Sequence, residues 1–287
     1  MGEAASIDVG FHGVRGSTPC SCPTVQRYGG NTSCVSIESP GLDPIVFDLG
    51  TGLRPWGCSM AADDPVTVHA LVTHLHWDHI QGLPFFTPLQ SAETALHVYG
   101  PGDNGETMES TFAKFMSPPF FPIEVAHLPA TVAFHDAHHD DIDIDGTQVM
   151  VRPVPHCGKT NGYRVTRNDV AVAYIPDHQE PVGRPDYVDP AVLELCADVD
   201  VLIHDAQFWA DEFPAKSTWG HCTPEYAVEV AVQAGVKTLV LFHHDPSHSD
   251  EDLDEMTERI EALALSRGVE SVVCATEGLK LSIAARV

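Results

Sequence analysis

Short apolar runs rich in β-branched residues, bounded by Gly, Pro and Asp, recur along the chain. The first half holds CVSIES (34–39), PIVFDLG (44–50), VTVHALVTH (66–74) and LHVYG (96–100). The second adds QVMVRPV (148–154), GYRVTR (162–167), VAVAYI (170–175), VDVLIHD (199–205), KTLVLFHH (237–244) and SVVCA (271–275). Their length and composition predict strands. Helical patterns lie between them. TPEYAVEVAVQAG (223–235) has Thr223 as N-cap, Pro224 and Glu225 in the first turn, and Gly235 past the end. SDEDLDEMTERIEALALSRG (249–268) opens with acids and stops at Arg-Gly, which complements a helix dipole. Strands dominate, with no fixed repeat and no Pro/Gly/Ser linker. The pattern predicts one α+β domain over 1–287, a sandwich of two β-sheets with helices outside. Segment 101–146 reads as an insertion near the active site: a short helix, ETMESTFAKFM, then the aromatic-proline stretch SPPFFPI.

Composition narrows the partners. With 287 residues, 43% of them hydrophobic, the chain can bury a substantial core. No apolar stretch approaches the roughly 18 residues of a membrane span. MGEAASIDVG has neither a basic start nor an apolar segment, so a cytoplasmic protein is expected. Forty-one acids against 15 Lys and Arg give a net charge of -26, which repels phosphate backbones and disfavours a long nucleic acid as partner. The acidic runs HHDDIDID (138–145) and SDEDLDE (249–255) read as solvated faces. The eight cysteines form no C-x-x-C pair and read as free thiols; Cys20 and Cys22 would need further soft ligands to hold a metal.

The chemistry concentrates in THLHWDHIQGLPFF (73–86), where His74, His76, Asp78 and His79 follow an apolar run. Imidazole with carboxylate suits zinc or a similar first-row divalent ion rather than calcium. Four residues cannot fill two metal shells. His156 after MVRPVP, Asp177 after VAVAYIP and His243 after TLVLF are the candidates to complete them. Any one alone would more often be a cap or a satisfied core residue; three in the order His, Asp, His make a pattern.

That pattern resembles the metallo-β-lactamase-fold hydrolases over nearly the whole chain. The resemblance implies an αββα sandwich whose loops hold two divalent ions, zinc first, with manganese or iron as alternatives. By it, His74, His76 and His156 hold one metal, Asp78, His79 and His243 the other, and Asp177 bridges them. Asp48, in VFDLGTG, would orient the ligand loop from behind, although on sequence alone it equally fits a plain turn. A hydroxide shared by two metals about 3.5–4 Å apart would be the nucleophile.

Further motifs resemble the RNase Z group and its phosphodiesterase relatives. LIHDAQF (202–208) is similar to their HEAT motif, with Asp205 in place of glutamate. GHCTPEYAVEVAVQAGVKTLVLFHH (220–244) is similar to their GHST segment, and GVRGSTP...RYGGNTS (13–33) to their glycine-rich loop. The resemblance implies catalytic roles for Asp78, for His204 as proton donor to the leaving oxygen, and for Asp205 as its support. His221 would line the phosphate pocket or orient His204, and Arg15, Arg27 and Asn31 would contact the substrate. The tRNA-processing members carry an arm between the third metal histidine and the bridging aspartate. Here His156 and Asp177 are 21 positions apart, filled by two strands and a turn. With five lysines in the chain, a small phosphodiester such as a cyclic nucleotide or cyclic phosphate is the expected substrate, with SPPFFPI as an aromatic wall or a core cap. A lactonase, carboxylic-ester or sulfate-ester hydrolase on the same metals is the alternative, and a metal-binding sensor the reading from another class. A homodimer is the family expectation.

Overall fold

The computed structural model describes residues 6–60 and 66–285, so the first five residues, read above for a leader, lie outside it. The chain lays down β1 (Ser6–Gly13), β2 (Cys34–Glu38), β3 (Ile45–Phe47), β4 (Thr67–Leu71), β5 (Ala95–Gly100) and β6 (Thr131–Asp136) in the first sheet. It then builds the second from β7 (Asp140–Ile144), β8 (Thr147–Pro153), β9 (Asn161–Arg167), β10 (Val170–Ile175), β11 (Val201–Asp205), β12 (Thr238–Phe242) and β13 (Ser271–Cys274). The last strand, β14 (Lys280–Ala284), returns to pair with β1.

Both seven-stranded sheets are mixed, as expected. β3 to β6 run parallel, as do β10 to β13, while the remaining neighbours are antiparallel. Ile7, Val9, Phe11, Ile45, Phe47 and Leu71 pack across the sandwich on Val149, Tyr163, Val172, Tyr174, Ile203 and Phe242. Alternate positions of the second sheet, such as Ala173, Leu202 and Leu241, face outward onto α4 (Pro190–Cys196), α6 (Pro224–Ala234) and α7 (Asp250–Ser266). The first sheet is covered by α1 (Leu53–Ser59) and α3 (Met108–Phe115), through Trp56 and Phe112. Two single-turn helices complete the set, α2 (Trp77–Ile80) and α5 (Phe213–Lys216).

The two long helices start and stop as their sequences predict. The Thr223 side chain accepts from Tyr226 N–H, and Gly235 ends α6 in the left-handed conformation at φ 70. Ser249 and Asp252 form a reciprocal capping box at the start of α7.

The expected insertion over 101–146 is shorter in the structure. Its last part supplies both sheet edges: β6 pairs with β5, and β7 pairs with β8. Only the part before β6, including α3, stands outside the strands. The acidic run in β7 is therefore an edge strand rather than only a solvated face, with Ile142 and Ile144 turned to the core and the aspartates outward. Among the described residues, no helix is long and apolar enough to cross a membrane.

Candidate metal centre

β3, β4, β8, β10, β11 and β12 all point their carboxyl ends the same way, and the residues just past those ends converge, as ligands do in open α/β sheets. His74, His76, Asp78 and His79 follow β4; His156 follows β8; Asp177 follows β10; His243 follows β12.

Two groups of ligand atoms result. His74 Nε2 lies 2.7 Å from His76 Nδ1, His156 Nε2 lies 3.4 Å from it, and Asp177 Oδ2 is 3.7 and 3.4 Å from the His74 and His156 nitrogens. On the other side, Asp78 Oδ2 sits 3.2 Å from both His79 Nε2 and His243 Nε2, and Asp177 Oδ1 is 3.1 and 3.3 Å from those nitrogens. Each oxygen of Asp177 thus belongs to a different group. A zinc tetrahedron with arms of roughly 2.0–2.1 Å has edges of about 3.3–3.4 Å, which most of these separations match. His79 Nε2 and Asp177 Oδ1 are buried without a hydrogen-bond partner, as atoms reserved for a cation would be. The donor set of imidazoles and carboxylates fits two zinc-class ions.

The far side of each ring is held as well. The Asp48 carboxylate accepts from His79 Nδ1 at 2.7 Å, from Thr73 N–H at 2.7 Å and from the Tyr174 hydroxyl at 2.9 Å. Asp48 follows β3 at φ 56 and is fully buried behind the His79 ring and the Thr73 backbone. His156 Nδ1 donates to Gly220 O at 2.6 Å, and His243 Nδ1 to Gln207 Oε1 at 2.9 Å. Asp78 Oδ2 accepts the Ser17 amide at 2.7 Å, so the glycine-rich loop serves this site through its backbone. A Cβ on Gly16 would lie 2.4 Å from the His243 ring, which explains the glycine there.

Buried charge dominates the electrostatics. Burial pushes the Asp78 and Asp177 carboxyls up, but the surrounding histidines more than reverse it and hold both well below the usual range. Burial holds His74, His76 and His156 below the ordinary histidine value. His79 goes the other way, since Asp78, Asp177 and Asp48 outweigh its burial. Such a concentration of carboxylates needs compensating positive charge.

His221 belongs to this centre and His204 does not. His221 stacks on His243 with ring centroids 5.0 Å apart, and its Nδ1 donates to Asp205 Oδ2 at 2.8 Å. Burial lowers its affinity for a proton, but Asp205 more than restores it and the net shift is upward. Asp205 is itself fixed by the His178 and Gln207 amides, each at 3.0 Å. His204 is fully buried, with Nε2 2.9 Å from His178 Nδ1 and Nδ1 bonded to Asp205 O at 2.8 Å. Successive residues of a strand face opposite ways. On β11, Ile203 faces the other sheet and Leu202 the helices, so His204 falls on the helix side. The expectation of His204 as proton donor is corrected: it faces the helices, whereas its neighbour Asp205 faces the candidate ligands and bonds His221.

The expected substrate contacts all have partners within the protein. Arg15 is fully buried and donates to Gly29 O, Asp245 O and His248 O, which makes it a brace for loops. Arg27 pairs with Asp254 on the surface at 2.6 Å. The Asn31 side chain donates to Glu277 at 2.9 Å. Their sequence context offers no warning, because each partner lies more than 200 residues away or is a backbone carbonyl. Gln207 and Gly220, whose roles sequence reasoning missed, lie within motifs it had singled out, LIHDAQF and GHCTPEY. Cys20 and Cys22 join no candidate metal group among the described residues.

Next to His76 lies an apolar cleft of about 520 Å³, lined by Leu75, Trp77, Phe85, Phe115, Phe120 and Phe121 among others. Trp77 is 74% and Phe120 82% exposed on the wall of this cleft, while Phe121 of the same aromatic segment packs against the first-sheet core, so the segment serves as both wall and cap.

The chain was compared with known proteins. A family model described as the beta-lactamase superfamily domain matches residues 43–244. A Ribonuclease Z of Haloarcula marismortui is 25% identical over 304 residues, covering 87% of this chain and 91% of its own. The structure of the metallo-beta-lactamase fold protein YhfI from Bacillus subtilis superposes with a TM-score of 0.72 at 18% identity, over 97% of this chain and 99% of that one. A diphosphatase of the PhnP family gives 0.70 at 19% identity, over 98% of this chain and 100% of that one.

Proposed function

We propose that this chain, which belongs to the beta-lactamase superfamily and is a metal-dependent hydrolase, cleaves a small phosphodiester of the cyclic-nucleotide or cyclic-phosphate type. His74, His76 and His156 would hold one divalent ion, Asp78, His79 and His243 the other, with one oxygen of Asp177 on each. Zinc suits the donors best. Bound there, the ions supply water made acidic enough to attack at neutral pH and positive charge against the developing anion.

The protein's own residues supply the rest. The observation that carries the reading is the His221–Asp205 pair beside the ligands. Asp205 fixes the ring by accepting a hydrogen bond from Nδ1–H and favours the imidazolium, so His221 can give a proton from Nε2 to the leaving oxygen. A diester of an ordinary alcohol needs that proton, because its alkoxide is a poor leaving group. Asp48, Gln207 and the Gly220 carbonyl keep the ligand rings from turning. The aromatic cleft beside His76 would take a flat or apolar substituent.

A small substrate fits better than tRNA. Between His156 and Asp177 the chain holds β9, β10 and a tight turn, which leaves no protruding arm, and the net charge is -26. The test is a panel on zinc-loaded protein: bis(p-nitrophenyl) phosphate, 2′,3′- and 3′,5′-cyclic nucleotides, p-nitrophenyl acetate, a lactone and a pre-tRNA. Turnover of the diesters is expected. Turnover confined to the ester or lactone would replace the reading with a carboxylic-ester hydrolase, and turnover confined to pre-tRNA with an RNase.

A further inference from the structure

We propose that Asp43, His69 and Asp145 form a third divalent-cation site, distinct from the catalytic pair, that takes a zinc-class ion and ties the two sheets together. His69 lies on β4 five residues before His74, on the order of 15 Å away along an extended chain. It is 8% exposed, and neither of its ring nitrogens has a hydrogen-bond partner. A buried imidazole normally satisfies at least one nitrogen, and two orphans on one ring call for a ligand. The atoms that could bind it lie within 4.8 Å of one another, with His69 Nε2 4.0 Å from Asp145 Oδ2.

The three residues come from separate parts of the sandwich. Asp43 lies in the loop leading into β3 of the first sheet and His69 in its β4; Asp145 is in the hairpin between β7 and β8 of the second. One imidazole with two carboxylates is a donor set that zinc, manganese and cobalt accept. Burial first, and His97 stacked at 5.1 Å, keep His69 below its ordinary proton affinity, so a lone pair is available near neutral pH. Arg167 approaches the same place, but its Nε donates to Thr147 Oγ1 and its Nη2 to Asp43 O, leaving one positive charge against two carboxylates. Asp145 is on an exposed turn, so it can close the remaining distance without moving a strand.

The experiment is equilibrium dialysis of the full chain against micromolar ZnCl2, followed by elemental analysis. Wild type is expected to hold three zinc ions per chain, while His69→Gln and Asp145→Asn hold two. Hydrolytic turnover should be unchanged in both variants, because neither residue touches the catalytic ligands. Asp145→Asn changes an exposed side chain and guards against misfolding of the His69 variant. Equal zinc content in wild type and Asp145→Asn would overturn the site and leave a buried water as the partner of His69. That outcome would not bear on the catalytic pair, which is read from activity.

Discussion

His221 and Asp205 are joined by a 2.8 Å hydrogen bond that places a carboxylate behind an imidazole at the edge of the histidine–aspartate cluster, while His204, one residue before Asp205, faces into the helices. Under the proposed function, that division of labour would give proton transfer to His221. His221→Ala should keep its metals and lose about 10²–10⁴-fold in kcat on diesters with alkyl leaving groups, and much less on p-nitrophenyl diesters. His204→Gln should show no such dependence on the leaving group. Kinetics across a leaving-group series, with elemental analysis of both variants, checks this; equal losses on all diesters would remove His221 from the acid role.

Gly220 sits at φ 95, and a Cβ there would stand 2.4 Å from His156 Nδ1. Gly220→Ala should therefore displace the His156 ring and weaken binding of the ion that His156 would share with His74 and His76 by about 10–100-fold. Metal titration with a chromophoric chelator measures it. Retention of wild-type affinity would mean that the loop after α5 yields easily.

Asp48 holds His79 from behind and is bound by Thr73 and Tyr174. Asp48→Asn keeps the shape but removes the charge. On the proposed two-ion site, it should lower metal affinity by about 10–100-fold, with the loss concentrated at the ion that His79 would hold. Cobalt substitution followed by visible spectroscopy can resolve the two ions.

His12 is mostly buried against Trp56 and Ser36, and burial, only partly offset by Glu38, lowers its pKa from 6.5 to about 4. The unfolded chain therefore binds the proton first. The stabilisation from keeping His12 neutral is complete above about pH 6.5 and is lost as pH falls toward 4, by up to about 3 kcal/mol. Urea unfolding at pH 7 and pH 4.5 should show a smaller drop for His12→Gln than for wild type. Equal drops would place the acid sensitivity elsewhere.

Much of this protein follows from local pattern. The seven candidate ligands are legible because each stands one to eight residues past an apolar strand, and H-x-H-x-D-H needs no distant information to read as a metal motif. The caps at Thr223 and Ser249 are local as well. Tertiary structure decided what depends on which face looks inward. Alternation along β11 says that His204 and Asp205 point oppositely, but only the packing of Ile203 on one side and Leu202 on the other says which of them meets the metals. The edge strands β6 and β7 read as an insertion because their weak apolar signal becomes sheet only through pairing with β5 and β8. Arg15 looked like a phosphate contact until its partners, carbonyls some 230 residues away, were brought beside it by closure of the sandwich. Residue type and spacing specify which chemistry the chain carries; the direction of each side chain is a property of the packed sheets, because period two in a strand leaves the choice of face to long-range contacts.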